Sequence, residues 1–191
     1  QKNLKLRNKR VRTYNSLKQC LDEKPTIGFV TNETNLHVET AIKLAHNNLD
    51  LFLEKPVSNS KKNVNKLKKI IKEKKLIVQM GYHFRYHKCI KKIYQMILEK
   101  KIGKIISVQV ENNSYLPDWH PHEDYTKSYA SRDKLGGGIV LTQIHELDYL
   151  YWFFGKPKSV FSVTGKFSNL KLSVDDFSTS IIEFKQKIIA E

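Results

Sequence analysis

Apolar residues along this chain follow two spacings, and the change from one to the other divides it. In the first half, short unbroken apolar runs alternate with stripes of helical period. Thr26-Ile27-Gly28-Phe29-Val30 is a compact run of the length expected for a buried parallel strand. After it, Val38, Ala41, Ile42 and Ala45 mark one face of a helix from about His37 to Asn47. Leu49 to Leu53 is a second run, Val64, Leu67, Ile70 and Ile71 stripe a helix over 60–74, and Leu76 to Met80 is a third run. Strand, helix, strand, helix, strand predicts βαβ units with right-handed crossovers and a parallel sheet. Ahead of them, Val11 to Tyr14 predicts a short strand, and Asn15 or Ser16 the cap of a helix through about Asp22. Ile90, Ile93, Tyr94, Ile97 and Leu98 stripe another helix, from about Lys88 to Lys100, which Gly103 ends. Beyond Gly103 the period drops to two. Ile105 to Glu111, Val160 to Thr164 and Ser178 to Phe184 alternate as half-buried strands do. A boundary is therefore predicted near 81–86, giving domains 1–83 and 84–191 in an α/β chain whose second part is β-rich.

The charge balance adds a question about partners. Thirty-four Lys and Arg against 19 Asp and Glu give +15, which raises an anionic partner or nucleic acid. Lysine greatly outnumbers arginine, however, and much of the excess lies between Lys61 and Lys75, on the solvent side of the apolar stripe. A basic nucleic-acid module is thus the alternative reading and not the leading one. With 191 residues and 40% hydrophobic content the chain can bury a core. Only Cys20 and Cys89 are present, and the longest apolar run, Tyr149 to Phe154, cannot span a bilayer. A cytoplasmic protein with free thiols and no membrane association is expected. Residues 1–10 are basic and patternless and read as a broken beginning.

Candidate chemistry gathers at three places. The second run ends in Glu54-Lys55-Pro56, a carboxylate, an amine and a proline at the C-terminal end of a parallel strand, where open α/β sheets hold ligands. Pro56 restricts the preceding backbone, and a partly desolvated Lys55 can serve as acid or base or hydrogen-bond a hydroxyl. The third run opens into Gly81-Tyr82-His83-Phe84-Arg85-Tyr86-His87, suited to a cleft rim with Tyr82 and Arg85 on it. Tyr115 to Arg132 packs two prolines, two histidines, three tyrosines and a tryptophan into 18 residues, without helical or strand period. Such a loop belongs over a site, which marks Trp119, His120 and Tyr125. Gly136-Gly137-Gly138 and then Gln143 and His145 follow, the histidine at a helix start where it can be an acid or base. His120, His122, Glu123 and Asp124 match no common zinc spacing, so no metal site is expected, and no P-loop, serine elbow or dinucleotide glycine turn occurs.

With Glu54-Lys55-Pro56, Asn32-x-Thr34-x-Leu36-His37 and GGGIVLTQIHELDYLYWFFG in order, the chain from about residue 11 onward resembles the Gfo/Idh/MocA family of oxidoreductases. The resemblance implies a partial Rossmann-like parallel sheet, then an α+β domain with a mostly antiparallel sheet, in which Ile181 to Glu191 is a strand. It implies a nicotinamide cofactor, NAD or NADP, and oxidation or reduction of a sugar, nucleotide-sugar or cyclitol hydroxyl by a homo-oligomeric parent. Lys55 and His145 take the catalytic positions. Asn32, Thr34, His37, Glu54, Pro56 and Arg85 lie along the cofactor, and Tyr82, Trp119, His120, Tyr125 and Gln143 face the substrate. The resemblance places the opening strand and its G-x-G-x-x-G turn ahead of residue 1, and makes a catalytically inert relative the other alternative. Glu33 stands where it expects a proline, and Thr142 where it expects an acid.

Overall fold

The computed structural model describes residues 11–191, and the basic first ten lie outside the described residues. Ser16 caps α1 (Leu17–Asp22), its hydroxyl accepting the Gln19 N–H at 3.3 Å. Val11 to Tyr14 is not a strand; the segment is exposed and no strand among the described residues pairs with it.

The first sheet is wholly parallel, in the order β1 (Ile27–Val30), β2 (Asp50–Leu53), β3 (Val78–Met80). Helices α2 (His37–His46) and α3 (Val64–Lys74) cover one face. Val30, Leu51 and Leu53 meet Val38, Ala41, Ile42, Ala45, Leu67 and Ile70 there in a single buried cluster. The lysines of α3 face water, as its stripe requires. That helix begins at Val64 because Ser60 to Asn63 turn, Asn63 holding a left-handed φ of 60°. On the opposite face, Ile27, Phe29 and Ile77 remain exposed, with Phe29 stacked on Phe52 at 5.3 Å.

Helix α4 (Lys88–Leu98) leads to the second sheet, of order β4 (Ser107–Val108), β7 (Ile189–Ala190), β6 (Phe177–Phe184), β5 (Pro157–Gly165). The β5–β6 and β6–β7 pairs are antiparallel and β4–β7 is parallel. Two strand expectations are corrected here. Ile105 to Glu111 is paired over two residues only, because its neighbour β7 is equally short. Ile181 to Glu191 is a hairpin, since the chain turns at Lys185-Gln186-Lys187, with Lys187 at φ 62°. Two consecutive helices, α5 (Ile139–Thr142) and α6 (Ile144–Phe154), complete this half. Leu150 and Phe154 of α6 pack on Ile182, Phe184, Ile188 and Ala190. Tyr94 of α4 lies against Trp152 and Phe153, centroids 4.3 and 5.5 Å apart. The seam of α4 is Ile90, Tyr94 and Ile97, while Ile93 and Leu98 point to solvent.

Candidate active site

Three strands of one parallel sheet end on one edge, and their loops bring the first-half candidates together. The ladder runs on past the strands: the Glu54 N–H donates to Val30 O at 2.9 Å and the Gly81 N–H to Leu53 O at 2.8 Å. A side-chain clamp then fixes the loops after β1 and β2 to each other. His37, 1% exposed, places Nδ1 2.8 Å from Pro56 O and Nε2 2.9 Å from Asn32 O. The Lys55–Pro56 peptide between them is cis. Both ring nitrogens thus face backbone carbonyls. Its work is to hold the Lys55 loop against the Asn32 loop. Asn32 turns its amide to Thr40 Oγ1 at 3.1 Å.

The second half closes over this edge through its glycines. Gly136 sits at φ 80°, and a Cβ there would come within 2.8 Å of Thr34 Cβ and 3.1 Å of Asn59 Cβ. Thr34 is consequently buried against the second half. The close approach sets the following helices down on the Lys55 loop, and the Lys55 amine donates to Thr142 O at 2.7 Å, across 87 residues of chain. Burial lowers the Lys55 pKa from the ordinary lysine value, against the opposing pull of the Glu54 and Glu146 carboxylates.

His145 stands three residues past that carbonyl and is 8% exposed. The loop after β3 wraps it in aromatic rings. Phe84 stacks on it at 4.6 Å, His83 meets it edge-on at 4.4 Å and Tyr82 at 6.3 Å. Its Nδ1 is buried without a hydrogen-bond partner among the described residues. Burial, then the positive charge of Lys55 and then His83, lower its pKa to about 4, with Asp148 opposing. At neutral pH the ring is therefore uncharged beside a partly desolvated amine, and such a pair can divide acid and base roles.

The other expected residues make contacts of their own. Arg85 carries a bidentate pair to Asp148, Nε and Nη2 each 2.7 Å from a carboxylate oxygen, and its guanidinium lies 5.8 Å from the Tyr82 ring and 5.7 Å from Trp152. The guanidinium joins the β3 loop to α6. Trp119 donates to Ser114 Oγ and lines a cavity of about 430 Å³ with Tyr115, Phe167, Leu172 and Thr142. Tyr125 accepts the Lys171 N–H at 3.2 Å on the far side of that loop, and His120 is exposed. Gln143 accepts from Asn112 at 2.7 Å, next to His145. The residues missed by sequence reasoning are His83, Phe84, Glu146 and Asp148. A helical wheel would have found the last, since His145, Asp148 and Trp152 share one face of α6.

Known proteins match this arrangement along nearly its whole length. Residues 2–82 match the family model described as oxidoreductase family, NAD-binding Rossmann fold, and residues 90–191 match the GFO/IDH/MocA C-terminal domain. The chain belongs to the Gfo/Idh/MocA oxidoreductase family. YteT of Bacillus subtilis is 29% identical over 140 residues, which is 73% of this chain and 32% of YteT. Among solved structures, myo-inositol 2-dehydrogenase from Lactobacillus plantarum superposes with a TM-score of 0.80 at 23% identity, over 93% of this chain and 53% of that one. The WlbA dehydrogenase from Bordetella pertussis, in complex with NADH and UDP-GlcNAcA, does so with a TM-score of 0.79 at 17% identity, over 94% and 51%. This Gfo/Idh/MocA chain thus spans about a third of YteT and half of the solved relatives.

A nicotinamide cofactor is what the family implies, and the residues present fit part of one. The loop after β1 holds a buried acceptor without a partner among the described residues, Asn35 Oδ1, of the kind a ribose hydroxyl or a carboxamide amine satisfies. The 191 residues contain no G-x-G-x-x-G turn to hold a pyrophosphate. No helix among the described residues is long and apolar enough to cross a membrane.

Proposed function

We propose that the protein is an NAD- or NADP-dependent dehydrogenase of a sugar, nucleotide-sugar or cyclitol hydroxyl, with residues 1–83 as its cofactor half and 84–191 as its substrate and oligomerisation half. The observation that carries the reading is the Lys55 amine, delivered from the sheet edge and bonded across the interface to the Thr142 carbonyl beside the buried, uncharged His145. The names of the relatives add support, a cyclitol dehydrogenase and a dehydrogenase crystallised with NADH and a UDP-sugar. A bound nicotinamide supplies the hydride acceptor or donor. The protein's own residues handle the hydroxyl. Lys55 donates a hydrogen bond to the substrate oxygen, and His145 accepts the O–H proton as the carbinol C–H electron pair leaves, returning it in the reductive direction. Phe84, Tyr82 and His83 exclude water around the ring and fix its plane. Tyr82 and Gln143 are further polar groups at its margin.

In the protein expressed from its own gene, Lys55→Ala should lower turnover about 100-fold and leave cofactor affinity within about twofold, the scale for losing a positioned acid or base. Stopped-flow absorbance of the reduced nicotinamide measures both. Full turnover in the variant would remove Lys55 from the mechanism.

A further inference from the structure

The loop after β4 and the loop between β5 and β6 enclose, together with α5, the cavity of about 430 Å³, for which the reaction above has no use. Its walls are chiefly aromatic and aliphatic, among them Trp119, Ile139, Phe167, Leu172 and Phe177. Phe167 meets Phe177 edge-on at 5.4 Å, and both rings are exposed, as is that of Tyr115 beside them, so the aromatic wall continues to the mouth. Pockets that hold small molecules run from about 300 to 1,000 Å³, and about 150 Å³ suffices for one benzene ring. The cavity has room for a ring and for what the ring is attached to.

The polar side chains in these walls are already engaged with the protein. Ser114 Oγ takes the Trp119 indole N–H, and the Thr142 hydroxyl donates to Gly138 O at 2.8 Å. Asp175 accepts the Val140 N–H at 3.2 Å, and Asp176 accepts the Phe167 and Ser168 N–H groups at 2.7 and 3.2 Å and the Ser168 hydroxyl as well. A row of sugar hydroxyls entering here would give up water and find few free partners in return. A phosphate or carboxylate would fare worse, because the two charged side chains of the lining, Asp175 and Asp176, are both acids. An uncharged aromatic ring loses nothing by leaving water and gains offset and edge contacts with the rings already there.

The position of the cavity ties it to the candidate active site. Thr142 lines it, and the carbonyl of the same residue takes the Lys55 amine at 2.7 Å. Helix α5 is four residues long, so the partition between cavity and amine is a single turn, about 5 Å of rise. That is a distance which one sugar ring spans.

We propose that the cavity is an aglycone site: it takes an uncharged aromatic substituent carried by the sugar whose hydroxyl meets Lys55. The substrate class is then an aryl glycoside, and neither a free cyclitol nor a nucleotide-sugar. The placing of the hydroxyl rests on the catalytic reading given above, and the placing of the ring rests on the cavity.

Equilibrium dialysis of the protein expressed from its own gene tests the ring site without turnover. Phenyl β-D-glucopyranoside and methyl β-D-glucopyranoside share the sugar and differ in the ring, and the phenyl glycoside should bind at least about tenfold more tightly. Leu172→Trp fills the cavity from its wall and should abolish that preference. Phe167→Ala removes a ring from an exposed position and should reduce the preference about threefold. Equal binding of the two glycosides overturns the proposal. So does an unchanged preference in Leu172→Trp, or in Phe167→Ala should the first variant not fold. UDP-glucose that binds as tightly as the phenyl glycoside and is displaced by Leu172→Trp would put a nucleotide in the cavity, and overturns it too. Lys55→Ala separates this result from the catalytic reading, since it should leave the preference in place. Full turnover in Lys55→Ala with the preference intact removes Lys55 from the mechanism and leaves the ring site standing. Lost turnover with no preference in the parent removes the ring site alone.

Discussion

The Arg85–Asp148 pair is expected to respond very unequally to the loss of one partner or the other. Asp148 has a side chain 9% exposed, whereas that of Arg85 is 37% exposed and keeps the Tyr82 and Trp152 rings as neighbours whatever happens to the acid. Arg85→Met preserves the apolar stem but leaves a buried carboxylate with neither of its two charged hydrogen bonds. Breaking a fully buried pair costs about 3–5 kcal/mol, and the exposure of the arginine end brings the expected loss down to about 2–3 kcal/mol. Asp148→Asn leaves a guanidinium that water can reach and an amide oxygen that can still accept, at about 1 kcal/mol. Arg85→Met with Asp148→Leu removes both charges together and should recover to within about 1 kcal/mol of the parent. Urea unfolding at pH 7 followed by tryptophan fluorescence measures all three, with Trp152 as the nearby reporter. Repeating it at about 1 M salt should leave the Arg85→Met loss in place, because buried pairs are screened little. A loss in Asp148→Asn equal to that in Arg85→Met, or a double variant no better than Arg85→Met, would refute the reasoning.

Further outcomes follow from the site and its hinge of glycines. The folded His145 pKa of about 4 lies below the ordinary 6.5, so the unfolded chain takes up a proton first as pH falls. Stability is therefore full above the unfolded value and should drop by about 2 kcal/mol between pH 7.5 and 5; His145→Gln should remove that part of the urea-midpoint shift. Gly136→Ala combines a left-handed φ with a clash on buried Thr34, and should cost about 2–4 kcal/mol, of which about 1–2 is backbone strain. Gly103→Ala has φ 70° and nothing within 4 Å of the new methyl, so it should show the strain alone; equal losses in thermal unfolding would mean that the contact with Thr34 carries no weight.

How legible these features were in the sequence depended on how far apart their causes lie. The first sheet and its helices are local in origin: an apolar run such as Ile27–Val30 or a stripe such as Val38, Ala41, Ile42 and Ala45 announces itself within a few residues. The turn at Lys185-Gln186-Lys187 carries no glycine, proline or asparagine, so nothing local separates β6 from β7. Val11 to Tyr14 has strand composition and no strand among the described residues to pair with, which only the three-dimensional arrangement decides. In the candidate site, Lys55 and His145 could be singled out by their surroundings in sequence. The duties of His37 and Arg85 could not. The partners of His37 are carbonyl oxygens 19 and 5 residues away, and that of Arg85 is a carboxylate 63 residues away. A residue type says what a side chain can bond, and the fold says which bonds are already taken.

The bond from Lys55 to the Thr142 carbonyl makes the docking of the two halves and the hydration of the amine one equilibrium. The amine lies on a loop of the first sheet and its acceptor lies at the end of a helix of the second half. Parting the two halves by an ångström or two returns the amine to water, and with water returns the hydration that burial had withdrawn. Whatever tightens the interface, a ligand in the cleft included, therefore also sets the chemical state of the lysine, and whatever wedges the interface open quenches it. The nitrogen of Lys55 is in that sense a gauge of closure.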